Sequence, residues 1–486
     1  MLSTDGYKFS MAQAGFPLRR ETFYLSFRRG GWQYVPFDLA ARVRAAAQVE
    51  ITAAHRDYLR AAGYGLSGGM ESAMDATALE VRAVPPRTWV HAREPILSVT
   101  GPSFLVSWLE PSLLRLNFSI QLATEIVRAG AAIEPRMLHA TCPEHAALMR
   151  EVIETVGRDV RMLNESIVVD EVGYREAVGT QVDALLRVTG GPERIFEVGM
   201  RAATCESQHQ ACLETLRAKG VLATSNVALA QVLGMKPVGT MGHEHIQRWG
   251  DDLSAFRAMR DMRAGAPSYL LDTFDTIVSG IPAAIRVANE RPHAFSIRYD
   301  SGDKFAQYMH AHGEFERANL QPVHVLEDGL DVEMTARFET LRAFTGVDAT
   351  RQVYGYGGSL VSRCWRNPLT RDRVAAVYKL SATSGEPRMK FGNARGLGKV
   401  SIPGEPVVWR RLRGDGPLSI IGQHHEEVPE DYVRMSSNPD AAEQVRICNV
   451  DGVIRDDPRT PYELSPATRQ LVRRLEQRTE HASTSR

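Results

Sequence analysis

Charge of one sign, long apolar runs and basic tracts are all missing from this chain of 486 residues. Lysine plus arginine and aspartate plus glutamate number 58 each, so the formal net charge is zero. Surfaces that bind nucleic acid usually show a basic excess, so we expect no nucleic-acid partner. The most apolar stretch, PILSVTGPSFLVSWLEP, is broken by prolines, a glycine and a glutamate. No run reaches the length of a membrane span, so we expect no membrane association.

Cysteine is also scarce, with five residues and no C-x-x-C pair. An odd, sparse set favours unpaired thiols in a reducing compartment. The N-terminal sequence MLSTDGYKFS lacks the basic-then-apolar order of a signal peptide. These features predict a cytoplasmic protein. The chain contains no G-x-x-x-x-G-K-[ST] loop either, which disfavours a P-loop nucleotidase.

A regular alternation of short apolar runs and helix-patterned segments fills the second half of the chain. Eight such runs begin near positions 194, 221, 237, 268, 294, 322, 351 and 375. Strand alternating with helix predicts parallel βα units. Eight units are the number that closes a (β/α) barrel, and an open doubly wound sheet is the alternative.

The segments on either side of this alternation have a different composition. The sequence predicts an α/β protein whose irregular (β/α) barrel is accompanied by an N-terminal α+β domain completed by C-terminal strands. The predicted divisions are 1–150 for the α+β domain, 151–384 for the barrel, 385–476 for strands and a helix that pack back on the first domain, and 477–486 for a disordered tail.

Polar clusters follow five of the predicted strands. In barrels, active sites are built at the carboxyl ends of the strands, so we expect these clusters to converge on one mouth. The clusters cover positions 224–226, 240–243, 298–303, 327–331 and 354–359.

The motif IRYDSGD alternates basic and acidic groups across a strand end. Arg298 is suited to hold a carboxylate or phosphate bidentately. Asp300 and Asp303 are suited to ribose hydroxyls, or to Mg²⁺ through water. An internal ion pair that orders the loop is the alternative. One unit later, VLEDGLD adds Asp328 and its acidic neighbours, which suit a sugar phosphate carried with magnesium.

Two glycine-rich stretches are candidate anion sites. Gly357 and Gly358 in YGYGGSL follow a strand, where glycine lets backbone N–H groups approach a phosphate, although a tight βα turn also explains them. The stretch KFGNARGLGKVSIPG carries Lys390, Arg395 and Lys399. This composition is typical both of an anion-binding loop and of a solvated basic loop.

His243 and His245 lie one residue apart at a predicted strand-to-helix junction. Side chains two residues apart on a helix project in different directions, and no further Cys or His stands at ligand spacing. We therefore assign no residue to a metal. A phosphate carrier, with imidazole as the nucleophile, and a hydrogen-bonding turn residue remain open for His243.

Nine short blocks occur in the order found in one enzyme family: STDGYKFSM, VGMRA, ATSNVALA, GTMGHE, LLDTFDT, IRYDSGD, YGYGGSL, VYKL and VSIPGEPVVWRR. From residue 3 to about residue 411 the chain resembles nicotinate phosphoribosyltransferases; nicotinamide phosphoribosyltransferases share several blocks. The resemblance implies a type II phosphoribosyltransferase fold and a homodimer with shared active sites. It also implies synthesis of nicotinate mononucleotide from nicotinate and phosphoribosyl pyrophosphate in NAD salvage, with Mg²⁺ as cofactor and ATP as co-substrate.

The resemblance also assigns roles to single residues. His243 matches the histidine that carries a phosphoryl group in ATP coupling, and His245 has no such counterpart. Tyr7 resembles an aromatic residue that stacks on the pyridine ring from the partner subunit. Arg298 and Thr240 match nicotinate contacts, with Arg298 holding the carboxylate. The matches for phosphoribosyl pyrophosphate are Arg201, Asp300, Gly357 and Gly358, and the further substrate-binding residues are Asp272, Asp328 and Ser225. The catalytic set that the resemblance implies is His243, Arg298 and Asp300.

Three positions bear on which pyridine is used. Val198 replaces a phenylalanine that the related enzymes carry, and Gly242 replaces Ala or Ser. Ser225 stands where nicotinamide enzymes have an aspartate, which would repel a carboxylate, so serine favours nicotinate. The rivals are a nicotinamide phosphoribosyltransferase and a non-catalytic nucleotide-binding homologue. A decarboxylating quinolinate enzyme is disfavoured because a second carboxylate demands further arginines.

Overall fold

A curved parallel sheet and two largely antiparallel sheets form the frame of the computed structural model, which describes residues 1–263, 265–391, 401–436 and 462–484. The strands are β1 Arg20–Phe27, β2 Trp32–Val35, β3 Glu80–Ala83, β4 Thr88–His91, β5 Leu97–Pro102, β6 His139–Ala140, β7 Val168–Val169, β8 Ile195–Glu197, β9 Ala223–Thr224, β10 Lys236–Pro237, β11 Ser268–Leu270, β12 Ser296–Tyr299, β13 Val323–Leu326, β14 Gln352–Tyr356, β15 Ala376–Thr383, β16 Glu386–Pro387, β17 Pro406–Arg411, β18 Ser419–Gln423, β19 Tyr432–Arg434 and β20 Tyr462–Leu464.

Helices connect the parallel strands and cover the sheets. They are α1 Gly6–Gln13, α2 Leu39–Ala46, α3 Ala53–Ala61, α4 Gly68–Ser72, α5 Ser103–Trp108, α6 Glu110–Ala129, α7 Pro143–Val156, α8 Glu171–Thr189, α9 Glu206–Ala218, α10 Val227–Leu233, α11 His243–Trp249, α12 Asp252–Met262, α13 Ile281–Glu290, α14 Lys304–Arg317, α15 Val332–Thr345, α16 Gly358–Val361, α17 Arg371–Val374 and α18 Pro466–Thr484. Across the described ranges, none of these helices is both long and apolar enough to cross a membrane.

The parallel sheet has the order β10-β9-β8-β14-β13-β12-β11. Its buried side chains, such as Tyr269, Ile297 and Leu326, pack with those of the connecting helices into one core. β10 and β11 form its two edges within the described residues, so the sheet is a curled half-barrel. The predicted combination of an irregular α/β barrel and an α+β domain is confirmed.

The eighth predicted barrel strand belongs to a different sheet, and the prediction of an eight-stranded ring is wrong. β15 pairs antiparallel with β1, from Glu21 opposite Thr383 to Phe27 opposite Ala376. The sheet that they share has the order β16-β15-β1-β5-β3. A strand buried on both faces reads as a continuous apolar run whichever way its partner runs, so the sequence pattern alone does not identify the partner.

The C-terminal strands form a sheet with the order β19-β17-β18-β20, and they pack on the N-terminal domain. Val408 and Val433 belong to the same core as Phe23, and the buried Arg410 donates to Glu94 at 3.0 Å. The last helix, α18, continues to Thr484, whereas the sequence predicts a disordered tail from residue 477. Residues 477–484 contain no proline or glycine, so the backbone can continue the helix.

The N-terminal segment packs on the parallel sheet of its own chain. Asp5 forms an isolated antiparallel bridge with Asn226, directly after β9. Gly239, directly after β10, lies against the same segment: a Cβ atom there would be 2.3 Å from the backbone nitrogen of Tyr7. Only glycine permits this close approach, which fixes where Tyr7 enters the structure.

We expect Gly239→Ala to lower the free energy of unfolding by about 1–3 kcal/mol, because the added methyl group overlaps backbone atoms that cannot simply rotate away. Chemical denaturation of the full chain measures the loss. Gly313→Ala is the matched control, since a Cβ atom inside α14 meets only the end of the Arg317 side chain, at 3.5 Å. That change should be neutral or stabilise by about 0.5–1 kcal/mol. Equal stability of the two variants would contradict the close approach.

Candidate active site

Two cavities meet at the carboxyl ends of the parallel strands. The larger one, about 710 Å³, is lined by residues of all seven strands of the curved sheet, many of them apolar. Tyr7, Arg201 and Arg298 line both cavities and mark their junction. The smaller cavity is rich in cations, namely Arg28, Arg201, Arg298, Arg371, Lys379 and Lys390.

Arg298, in β12, connects the loops that follow three strands. Its guanidinium donates to Thr240 Oγ1 at 2.8 Å and to Asp300 Oδ1 at 2.6 Å, and it lies 3.1 Å from Glu327 Oε2. Burial alone would raise the pKa of Asp300, but the charge of Arg298 holds that pKa well below its ordinary value. For Glu327 burial prevails over Arg298 and raises the pKa. Arg298 is therefore a fixed cation that Glu327 and Asp300 compensate together.

His243 is the first residue of α11 and is buried beside Asp300. Its Nδ1 lies 3.0 Å from Thr273 Oγ1, and its Nε2 lies 2.6 Å from Lys390 Nζ and 3.2 Å from Asp300 Oδ2. Burial, and next the charge of Lys390, lower the pKa of His243, so the ring is neutral at neutral pH. From these contacts we assign the ring proton to Nδ1, which faces Thr273 Oγ1. The lone pair of Nε2 then faces the ammonium of Lys390.

His243, Asp272 and Asp300 also form a group that could hold a metal ion, although the sequence assigned no residue to a metal. One ligand atom from each lies within 4.8 Å of the others. Asp272 Oδ1 is buried and has no hydrogen-bond partner among the described residues. Carboxylate oxygens suit Mg²⁺, so the two aspartates fit the ion. Lys390 Nζ, 3.8 Å from Asp272 Oδ2, supplies the positive charge there.

Tyr7 lines the cavities of its own chain. Its hydroxyl donates to Glu110 Oε2 at 2.7 Å, and the guanidinium of Arg201 lies 5.7 Å from its ring centre. A Cβ atom on Gly242 would be 3.3 Å from the edge of the ring, so glycine there leaves room for the tyrosine. The resemblance predicted that this aromatic side chain reaches a partner's site, and that call stays a prediction. Within its own chain, Tyr7 lies where the N-terminal segment docks on β9 and β10.

Comparisons with known proteins point to one family. Residues 194–401 match the profile of the Nicotinate phosphoribosyltransferase (NAPRTase) family. This match covers a little under half of the chain, so the chain is similar to this family. It is 27% identical over 276 residues to the nicotinate phosphoribosyltransferase of Mycobacterium tuberculosis, and the match spans 55% of this chain and 55% of that relative. It is 24% identical over 435 residues to the one of Bos taurus, which spans 77% of this chain and 66% of the relative.

Solved structures share the fold. The nicotinate phosphoribosyltransferase of Vibrio cholerae has a TM-score of 0.58 at 18% identity, covering 82% of this chain and 89% of that one. The one of Porphyromonas gingivalis has a TM-score of 0.56 at 18% identity, covering 81% and 94%. The likeness at this identity concerns the fold, and it agrees with an α/β half-barrel joined to an α+β domain.

Ser225, the residue that favours nicotinate over nicotinamide in the sequence, is backed by a carboxyl group. Its hydroxyl donates to Asp5 Oδ1 at 2.6 Å, and Asp5 Oδ2 lies 3.7 Å from Arg201 Nε. Burial, which outweighs Arg201, raises the pKa of Asp5. Beside the serine, the large cavity thus has a carboxyl group whose tendency to ionise is reduced by burial. The sequence did not reveal this group.

Most of the predicted site residues come together. Ser225 and Thr240 line the large cavity, and His243, Asp300 and Asp328 line the small one. Tyr7, Arg201 and Arg298 line both cavities, and Asp272 is buried behind His243.

The two glycines of YGYGGSL line neither of these cavities. A Cβ atom on Gly358 would be 2.8 Å from Asp372 Oδ2, and one on Gly357 would be 3.3 Å from the carbonyl oxygen of Val198. These contacts place the pair behind the loop that carries Arg201, where a tight βα turn explains them. Their phosphate contact stays a prediction.

Other candidate groups have structural roles or lie elsewhere. Asp303 accepts from the backbone amides at the start of α14, Asp331 caps α15 in the same way, and neither lines the two cavities. Capping is what aspartate commonly does directly before a helix. Of the basic stretch after β16, Lys390 reaches the site, whereas Arg395 and Lys399 lie outside the described residues.

Sequence reasoning missed several cations of the site and the carboxyl groups of Asp5 and Glu110. Arg28 and Lys379 come from the antiparallel strands β1 and β15 or their ends, and Arg371 from α17. Glu110 comes from the start of α6. Lys379 lay in the shared block VYKL and Asp5 in the shared block STDGYKFSM, so these blocks were the available signals.

We expect Lys390→Met to raise the pKa of His243. The burial that lowers this pKa remains in the variant, whereas the repelling ammonium is lost. Titration of isotopically labelled histidine by NMR measures the change. Lys236→Met, at an exposed position at the other end of the large cavity, is the control and should leave the pKa unchanged. An unshifted His243 in Lys390→Met would contradict the contact.

Proposed function

We propose that this chain is a nicotinate phosphoribosyltransferase, which forms nicotinate mononucleotide and pyrophosphate from nicotinate and phosphoribosyl pyrophosphate in NAD salvage. One observation carries the proposal: a largely apolar cavity and a cationic cavity share Tyr7, Arg201 and Arg298 at their junction. The first suits a pyridine ring and the second suits phosphates. The reacting ring nitrogen and anomeric carbon would meet at this junction.

The reaction needs charge stabilisation more than a base. The pyridine nitrogen attacks the anomeric carbon with its own lone pair, and the bond from that carbon to pyrophosphate breaks, so that pyrophosphate leaves with the electron pair. The sugar passes through an oxocarbenium-like state. Fixed cations such as Arg28 and Lys379 would neutralise the leaving group, and the walls would hold the two substrates in line.

The polar groups of the large cavity support the acid over the amide. The positive charge of Arg298 attracts the nicotinate carboxylate. Thr240 Oγ1 lies 2.8 Å from the guanidinium of Arg298. Burial raises the pKa of Asp5 behind Ser225, which weakens the negative charge that a carboxylate would meet. A nicotinamide phosphoribosyltransferase remains the second candidate, because the same Asp5 and Ser225 oxygens could accept from an amide NH₂.

ATP coupling would use His243. Its Nε2 lone pair attacks the γ-phosphorus of ATP, an N–P bond forms, and ADP leaves with the bridging oxygen; water later releases phosphate from the histidine. The lowered pKa of His243, due to burial and Lys390, keeps this lone pair available. Asp272 and Asp300 would hold Mg²⁺, which when bound neutralises phosphate charge. Assembly into a homodimer and a cytoplasmic location stay predictions.

The proposed activity is tested with labelled nicotinate, phosphoribosyl pyrophosphate and Mg²⁺, with and without ATP. We expect nicotinate mononucleotide, with kcat/KM for the acid about tenfold or more above that for nicotinamide, since the neutral amide loses a charge-assisted bond to Arg298 of about 1.5–3 kcal/mol. A preference for the amide would favour the second candidate. Binding of phosphoribosyl pyrophosphate without any product would favour a non-catalytic homologue.

His243→Ala should abolish the stimulation by ATP and leave some basal synthesis, because the carrier nitrogen is lost while the substrate cavities remain. The matched control is His245→Gln, since His245 is also buried but its Nε2 faces the carbonyl oxygen of Ala255. This control should keep the stimulation even if stability falls. Undiminished stimulation in His243→Ala would rule out the carrier role.

A further inference from the structure

Glu110 is the first residue of α6, and its carboxylate lines the small cavity. It accepts the hydroxyl of Tyr7 at 2.7 Å, contacts Lys8 Nζ at 2.6 Å and lies 3.4 Å from a terminal nitrogen of Arg201. We infer that Glu110 is a positioning residue, which sets the pyridine-stacking ring and a phosphate-binding arginine relative to each other. This inference rests on the proposed function.

The hydroxyl bond fixes the direction of the Tyr7 ring. A phenol has one polar group, so a single strong acceptor determines how the ring is tilted in its pocket. The other neighbours of the ring hold it less firmly: Lys8 Nζ lies 4.7 Å from the ring centre, and Gly242 presents no side chain. Loss of the acceptor would let the ring turn without emptying the pocket.

The charge of Glu110 compensates two cations that would otherwise repel each other. Burial would raise the pKa of Glu110, but Lys8 and Arg201 outweigh it and hold the pKa well below its ordinary value, so the group is ionised. Lys8 also contacts Glu244 at 3.0 Å, next to His243. Arg201 also lies 3.7 Å from Asp5. Without Glu110, Arg201 would keep only the longer of the two ion pairs that it forms among the described residues.

The position of Glu110 differs from that of an ordinary buried ion pair. Glu94 is also buried and pairs with Arg410 at 3.0 Å, yet Arg410 and His91, whose backbone amide donates to Glu94, line neither cavity. Glu110 instead touches residues of α1 and of the loop after β8, which come from two different cavity walls. Removing charge at Glu94 therefore tests stability alone.

The test is steady-state kinetics of the full chain with Glu110→Gln. An amide offers one acceptor oxygen and no charge, so it cannot serve Tyr7, Lys8 and Arg201 together. We expect KM for nicotinate and for phosphoribosyl pyrophosphate each to rise roughly tenfold, with a smaller change in kcat, as for a lost hydrogen bond to a charged group. Calorimetric binding of each substrate should weaken by a similar factor.

Two further variants separate positioning from stability. Tyr7→Phe should raise KM for nicotinate roughly two- to tenfold and leave KM for phosphoribosyl pyrophosphate unchanged, since only the hydroxyl bond is lost. Combining it with Glu110→Gln should add little to the nicotinate effect, because both changes break the same bond. Glu94→Gln should lower Tm and leave both KM values unchanged.

The inference would be overturned if folded Glu110→Gln kept both KM values, if its effect added fully to that of Tyr7→Phe, or if it behaved like Glu94→Gln. These outcomes leave an active wild-type chain and hence the proposed function intact. A wild-type chain that forms no mononucleotide would overturn the proposed function instead. In that case the binding measurements still decide whether Glu110 orders the two cavity walls.

Discussion

The cation of Arg298 at the carboxyl end of β12 is the constraint on which the rest of the site depends. It is held by side chains from the loops after β10, β12 and β13, and through Asp300 it reaches His243. Parallel strands deliver such groups to the same edge of the sheet, so one guanidinium can join residues that are far apart in the chain. The arrangement is rigid because each partner is itself fixed by a strand end or a helix start.

The cationic cavity has an electrostatic cost that a bound anion would relieve. Burial, together with Arg28 and Lys390, lowers the pKa of Lys379 to about 7. Burial and the charge of Arg201 likewise lower the pKa of Arg371. Cations that oppose one another in a protein-lined space favour any ligand that carries several negative charges. The same repulsion explains why carboxylates such as Glu110 are interleaved with the basic groups.

The sequence predicted the strand-end part of the site because that part obeys local rules. Arg298, Asp300 and His243 follow short apolar runs, and the βα period places such positions at one mouth. Glu110 and Lys379 could not be found in this way. Glu110 stands in a helix start, and its partner Tyr7 lies 103 positions away, while Lys379 lies in a strand whose antiparallel partner the pattern does not reveal. Asp303 and Asp331 cap helices, and the sequence pattern does not separate capping from ligand binding, since both call for the same residue type at the same place.

The docking of the N-terminal segment couples the shape of the active centre to one backbone contact. A Cβ atom on Gly239 would be 2.3 Å from the backbone nitrogen of Tyr7, and the Tyr7 side chain lines both cavities. Larger side chains at position 239 would displace the segment that carries this ring. Evolution can therefore reshape the pyridine pocket at other wall positions more easily than at this one.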